Sequence, residues 1–198
     1  KEKLIAIVSA TKPTESFVES CNLKRIQFIA YNRSWDIPTL SSVACDHKNG
    51  GEMVAEYFIK NKHTKIGMIE GPKGSFVSDQ RIKGFKTFFK NNKNTKLYSE
   101  KGFFTYDGGF QAAQKILKNK GISAIFCADD TMAFGCLDYI KQNTTIKIPK
   151  DLELIGYDDI SMSHWKSYDL TTVRQPIRQM SKLVTRLVDD CIKDPDCE

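Results

Sequence analysis

The chain predicts an α/β protein built on parallel sheets, and three observations carry that expectation. Short β-rich apolar runs alternate with longer stretches whose apolar residues recur at helical spacing, the signature of strand–helix–strand units. Most of the runs are continuously apolar, as expected of strands covered on both faces. Two of them, 124–128 and 154–156, run straight into paired carboxylates, Asp129-Asp130 and Asp158-Asp159. Ligands of open parallel sheets sit at the carboxyl ends of strands, so these pairs stand where a small polar molecule would bind.

The expected strands are residues 4–8, 26–30, 66–69, 102–104, 124–127 and 152–155. Between them lie amphipathic stripes read as core-facing helices. These are Met53, Val54, Tyr57 and Phe58; Ile82, Phe85, Phe88 and Phe89; Phe110, Ala113, Ile116 and Leu117; and Ala133, Cys136, Leu137 and Ile140. A last helix carries Ile177, Met180, Val184, Leu187, Val188 and Cys191, just after an extended segment, 170–175, that Pro176 stops. The rhythm breaks at 33–46 and again at 159–170, and both breaks read as crossings between subdomains. Residues 46–171 are expected to form one α/β lobe, and 1–45 with 172–193 another.

Composition excludes several classes. At 198 residues, with 40% hydrophobic and 27% charged, the chain is of ordinary globular makeup. It has no apolar run long enough for a bilayer and no signal-peptide layout at its start. The net charge of +6 is spread along the chain and gathers mainly in 60–65 and 90–96, both read as solvated helix-to-strand turns rather than a nucleic-acid surface. Six cysteines contain no C-x-x-C pair, and His47, His63 and His164 are isolated, so neither a metal site nor a cofactor is expected. Free thiols of this kind point to a reducing cytoplasm.

Four carboxylates at two strand ends invite a site. Asp130 is expected to cap the helix starting near Thr131, and Asp159 to serve a turn, whereas Asp129 and Asp158 stand closer to the strand ends and are expected to meet a ligand. Arg81 opens the helix after the strand that ends near Glu70, again on the carboxyl edge, and a guanidinium there can grip vicinal hydroxyls or a carboxylate. Of Phe103 and Phe104, one must point away from the helix-covered face and can stack on a ring. With no G-x-S-x-G, P-loop or G-x-G-x-x-G, and no histidine poised by sequence beside a nucleophile, the expectation is binding without chemistry.

Six segments in order complete the reading: 46–51, DHKNGG; Arg81 three residues before Gly84; 128–135, ADDTMAFG; 148–151, IPKD; 156–159, GYDD; and 171–176, TTVRQP. Together they resemble the effector-binding core of the LacI/GalR family of transcriptional regulators, over almost the whole chain. The resemblance implies a periplasmic-binding-protein-like fold of two parallel-sheet subdomains joined by three crossings, with a small sugar-like effector in the cleft between them. It implies that the effector changes the angle between the subdomains, and that the movement controls operator DNA through an amino-terminal helix-turn-helix domain. A homodimer, no membrane and no enzymatic activity follow from the same likeness.

By motif position Arg81 and Asp158 look like the principal hydroxyl-binding pair and Phe104 like the ring-stacking aromatic. Gln175 reaches the cleft from the crossing, and Asn32 faces it from the other lobe. Asp129 departs from the family, which often has Asn there, so an acceptor replaces an amide that can also donate. The chain opens at what looks like the third strand of the amino-terminal subdomain and stops before a final strand, which suggests an incomplete subdomain with an unpaired sheet edge. Two other readings share some features: a periplasmic sugar receptor, and a metal-dependent hydrolase or phosphotransfer protein with Mg²⁺ among the four carboxylates. Arg81→Ala and Asp158→Ala are expected to abolish effector binding and leave the fold intact.

Overall fold

A computed structural model describes residues 5–8, 12–37, 40–89 and 94–193. The described residues fall into two units, one drawn from the chain up to Cys45 and from Pro176 onward, the other running from Asp46 to Gln175. The chain thus passes between units after Cys45 and again after Gln175, where the resemblance implies three crossings.

The first unit holds a parallel three-stranded sheet in the order β1 (Ile5–Val8), β2 (Gln27–Tyr31), β3 (Ser41–Val43). Helix α1 (Glu15–Leu23), which no apolar stripe announced, is capped by Thr14, whose side chain accepts from Phe17 N at 3.2 Å. It seats Cys21 in the core, and Phe17 meets Phe28 edge-on at 5.9 Å. The closing helix α6 (Ile177–Lys193) packs Met180 and Val184 on Val43. Leu4, expected to open the first strand, lies outside the described residues.

The second unit carries the site. Its five strands are all parallel, in the order β5 (Lys96–Lys101), β4 (Lys65–Glu70), β6 (Ala124–Cys127), β7 (Glu153–Asp158), β8 (Thr171–Arg174). Period-two alternation splits each central strand between two cores. Ile66, Met68, Ala124, Phe126, Ile155 and Tyr157 face α2 (His47–Lys60) and α3 (Phe76–Phe89). Ile69, Ile125, Cys127 and Leu154 face α4 (Tyr106–Ile116) and α5 (Asp130–Asn143). A sheet apolar on both faces needs helices on both, which is why these strands read as unbroken apolar runs. Each fully buried Phe or Ile contributes about 1.5–3 kcal/mol.

Both helix pairs close through glycine. A Cβ on Gly84 of α3 would stand 1.9 Å from the Lys48 carbonyl oxygen of α2, and one on Gly51 of α2 would stand 2.2 Å from the Arg81 carbonyl oxygen. On the opposite face Gly109 and Gly135 repeat the device, with approaches of 2.1 Å to Met132 O and 2.0 Å to Tyr106 O. Backbone thus touches backbone, and the contact at Gly51 fixes the height of the Arg81 main chain over the sheet.

Three expectations need correction. Residues 102–104 are not a strand: β5 is Lys96–Lys101, and Phe103 and Phe104 sit past its end with φ of 59° and 60°. As an edge strand with one half-exposed face, β5 has the polar sequence KLYSEK and carries no apolar signal. Residues 172–175, assigned by sequence to the amino-terminal lobe, stay with the second unit, because β8 pairs with β7 from Thr171 to Arg174. Met53 and Tyr57, read as core, are exposed, since α2 turns Val54, Ala55, Phe58 and, in part, Ile59 toward the core instead.

Candidate functional site

The carboxyl ends of β4, β6, β7 and β8 bring the sequence-predicted polar groups together. Arg81, one turn into α3, is only 2% exposed and reaches across the sheet edge. Its Nη1 donates to Ala128 O at 2.6 Å, just past β6, and its Nη2 to Asp158 Oδ1 at 2.7 Å, at the end of β7. Its Nε donates to His47 Nδ1 at 3.4 Å, and the guanidinium carbon lies 3.8 Å above the Tyr157 ring centroid. Gln175, which follows β8, donates its Nε2 to the same Asp158 oxygen at 2.6 Å. Arg81, Asp158 and Gln175, far apart in sequence, thus form one bonded group.

This geometry overturns the expectation that Arg81→Ala leaves the fold intact. Removing the guanidinium strands the Ala128 carbonyl and half of a charge pair, because Arg81 serves as a strut between three elements as well as a rim cation.

The two carboxylates after β6 do not divide the work as expected. Asp129, not Asp130, is the N-cap of α5, accepting from Met132 N at 2.8 Å through Oδ1. Asp130 is the first helical residue and is turned inward: Oδ1 accepts from Thr172 at 2.6 Å and Oδ2 from Ile160 N at 3.0 Å. Gly156 makes room for it, since a Cβ there would fall 2.2 Å from Asp130 Oδ1. Asp130 therefore ties α5 to β8 and to the turn after β7. Adjacent aspartates look identical in sequence, and only the helix start decides which one caps.

Asp130→Asn is expected to destabilise the chain by about 1–3 kcal/mol, because an amide must turn a donor toward Ile160 N–H or the Thr172 hydroxyl. Urea denaturation checks this, and an unchanged midpoint would mean the two bonds contribute nothing.

Burial pushes both carboxyls up from the ordinary 3.8 to about 6. The Asp158 charge adds to the rise, while Met132 N–H opposes it at Asp129 and Thr172 and Ile160 N–H oppose it at Asp130. A carboxyl raised in the folded state holds its proton more tightly there. Its stabilisation is present below about pH 4 and is lost as the pH climbs through about 6. Wild-type stability measured against Asp129→Asn, which keeps a capping oxygen and cannot titrate, is expected to fall between pH 4 and 7.5. A difference that is flat across that window refutes the assignment.

Asp159 serves a turn, as expected. It pairs with Arg174 and lies 3.1 Å from His164 Nε2, and its backbone N–H donates to Thr172. Phe104 packs its ring on the α4–α5 side core, at the end of β5. A Cβ on Gly71 would come within 2.4 Å of that ring and 2.8 Å of Ser78 Oγ. Ser78 was given no role in sequence, yet it is fully buried and its hydroxyl has no hydrogen-bond partner among the described residues. His47, set aside in sequence as an isolated histidine, and Tyr157, read there only within the GYDD segment, frame Arg81. Asn32 belongs to the first unit, at the end of β2, with φ of 58° and its backbone N–H on Val43 O at 2.7 Å.

Strain gathers at these strand ends. Phe103, Phe104, Asp158 and Asp159 all have positive φ, Asp158 at 119°, a conformation that costs on the order of 1–3 kcal/mol per residue and persists where neighbours over-determine it.

One Ser–His–carboxylate chain does occur, at the opposite, amino edge of the sheet. His63 Nδ1 lies 2.8 Å from Ser123 Oγ and its Nε2 3.3 Å from Glu153 Oε2. The Ser123 N–H is donated to Lys65 O, and the His63–Ser123 bond ties the starts of β4 and β6. Burial holds the Cys127 thiol well above its ordinary pKa, and among the described residues no three His, Cys, Asp or Glu side chains group to hold a metal.

A doubly covered parallel sheet with its polar groups converging at the strand carboxyl ends defines a ligand-binding module of the periplasmic-binding-protein-like class. The periplasmic binding protein-like domain family matches residues 55–197. The chain is 31% identical over 195 residues to the probable HTH-type transcriptional repressor ExuR of Bacillus subtilis (strain 168), covering 97% of this chain and 58% of that protein. It is 35% identical over 153 residues to the HTH-type transcriptional repressor PurR of Vibrio vulnificus (strain CMCP6), covering 75% and 45%. A LacI family transcriptional regulator from Enterococcus faecalis V583, solved with bound ribose, superposes with a TM-score of 0.88 at 25% identity over 100% of this chain and 72% of that one. The chain spans about half the length of the curated relatives it matches. It belongs to the LacI/GalR family, as part of the effector-binding core.

Proposed function

We propose that the chain is the effector-sensing part of a LacI/GalR-type transcriptional regulator. It works in the cytoplasm without catalysing a reaction, and it holds a sugar or sugar derivative against the rim formed by Arg81, Asp158, Gln175, Asp129 and Phe104. The two units are the amino- and carboxyl-terminal subdomains of the core, and binding controls operator DNA through a helix-turn-helix segment outside these 198 residues, in a homodimer.

The observation that carries the reading is the state of Asp158. Its Oδ1 is held by Arg81 and Gln175, while its Oδ2 accepts no hydrogen bond among the described residues. A carboxylate fixed on one oxygen and open on the other, at the end of a central strand, is a preorganised acceptor for a hydroxyl. The free thiols Cys21, Cys127 and Cys136 support a reducing compartment, and the ribose held by the Enterococcus faecalis regulator supports the sugar class.

Differential scanning fluorimetry against pentoses, hexoses, nucleosides and amino acids tests the proposal. A matching sugar at a hundred times its Kd is expected to raise the unfolding midpoint by about 5–10 °C. Silence from every sugar beside a clear response to another class would overturn the reading.

A further inference from the structure

The charge at the rim narrows the effector class, given the sensing role proposed above. Asp129 is 7% exposed, and only its Oδ1 is bonded, to Met132 N, so its second oxygen, like that of Asp158, has no hydrogen-bond partner among the described residues. Two acceptors are therefore open on neighbouring strand ends, β6 and β7.

Three cations of this unit, Arg81, Arg174 and Lys86, are already engaged, while Lys73 and Lys101 are exposed. Arg81 is spent on Asp158 and the Ala128 carbonyl. Arg174 and His164 pair with Asp159, and Lys86 pairs with Glu70. Lys73 is exposed, on the β4–α3 connection. Arg81 is paired with Asp158, and among the described residues Asp129 has no ion-pair partner of its own, so its charge, in a poorly hydrated position, repels a second anion more strongly than it would in water. A hydroxyl or an ammonium meets the same oxygens favourably, because each can donate and neither brings negative charge.

We infer that the second unit selects its effector by charge, accepting neutral polyols and amino sugars at the open oxygens of Asp129 and Asp158 and rejecting uronates and sugar phosphates. Asp129 is then a specificity-determining residue: at this one position an acid in place of an amide sets the sign of the ligand.

Isothermal titration of the whole chain at pH 7.5 with matched sets tests this. The sets are glucose, glucosamine, glucuronate and glucose 6-phosphate; galactose, galactosamine and galacturonate; and ribose with ribose 5-phosphate. In any set that binds, the neutral or amino member is expected to bind at least tenfold more tightly than its acid, and Asp129→Asn, which removes one acceptor and so weakens the neutral sugar too, is expected to shrink that ratio several-fold. An acid that binds as well as its neutral partner, whether through Lys73 or otherwise, overturns the inference and leaves the sugar-sensing reading standing. An undiminished ratio in Asp129→Asn removes Asp129 as its source. If no member of any set binds while nucleosides or amino acids do, the sensing reading itself fails and this inference falls with it.

Discussion

Arg81→Ala is expected to unfold at markedly lower denaturant and to lose effector binding together. The guanidinium is 2% exposed and bridges α3 to the ends of β6 and β7, so its loss leaves the Ala128 carbonyl unanswered and Asp158 with Gln175 alone. Breaking a buried pair by deleting one partner costs about 3–5 kcal/mol, and the Tyr157 face also loses its cation. Arg81→Lys separates the two roles: a lysine can neutralise Asp158 but cannot bond Ala128 O, Asp158 and His47 through one planar fork. The lysine variant is therefore expected to recover part of the stability and little of the effector affinity. Urea denaturation of both variants, read beside titration with whichever sugar stabilises the wild type, decides the matter. An alanine variant as stable as wild type would mean the strut carries no load.

Gly84→Ala carries the second large effect. The added methyl carbon would lie 1.9 Å from the Lys48 carbonyl oxygen and 2.8 Å from its carbon, both backbone atoms of a neighbouring helix. No rotamer relieves such a contact, so α2 and α3 must part along their length. Overpacking of a well-filled core costs about 1–3 kcal/mol and occasionally more, and a backbone collision belongs at the upper end or beyond it. Gly74 supplies the control. Its φ is +83° and nothing lies within 4 Å of a Cβ there, so Gly74→Ala carries conformational strain alone and is expected to cost only about 1 kcal/mol. Denaturation midpoints that rank the two variants in the opposite order would show that close approach is not what these helices require. Separation of α2 from α3 would also shift Arg81, whose carbonyl oxygen lies against Gly51, so residual folded Gly84→Ala protein is expected to bind effector weakly.

How far the sequence could be read depended on the range of the forces involved. Central strands β4, β6 and β7 announce themselves because burial on both faces demands unbroken apolar runs, and the α3, α4 and α5 stripes follow from the same demand. Strand β5 did not, because an edge strand is free to carry Lys96, Ser99 and Glu100. Strand order put Arg81 and Asp158 on one edge and the family likeness made them a pair, but their direct bond was not legible, since 77 residues separate them and no local preference joins them.

From sequence alone the chain was determined to be a parallel α/β protein with carboxylates at strand ends, an arginine on the same edge and no recognisable catalytic motif. Those properties reside in local composition and periodicity, where a residue and its near neighbours settle the outcome. Tertiary structure alone decided which aspartate caps α5 and which is turned inward to Thr172, and that β8 stays with the second sheet. It also decided that Arg81 is buried as a strut. Each of these turns on which distant group arrives within about 3 Å to complete a hydrogen bond, and a buried polar atom accepts whichever partner the packed fold delivers.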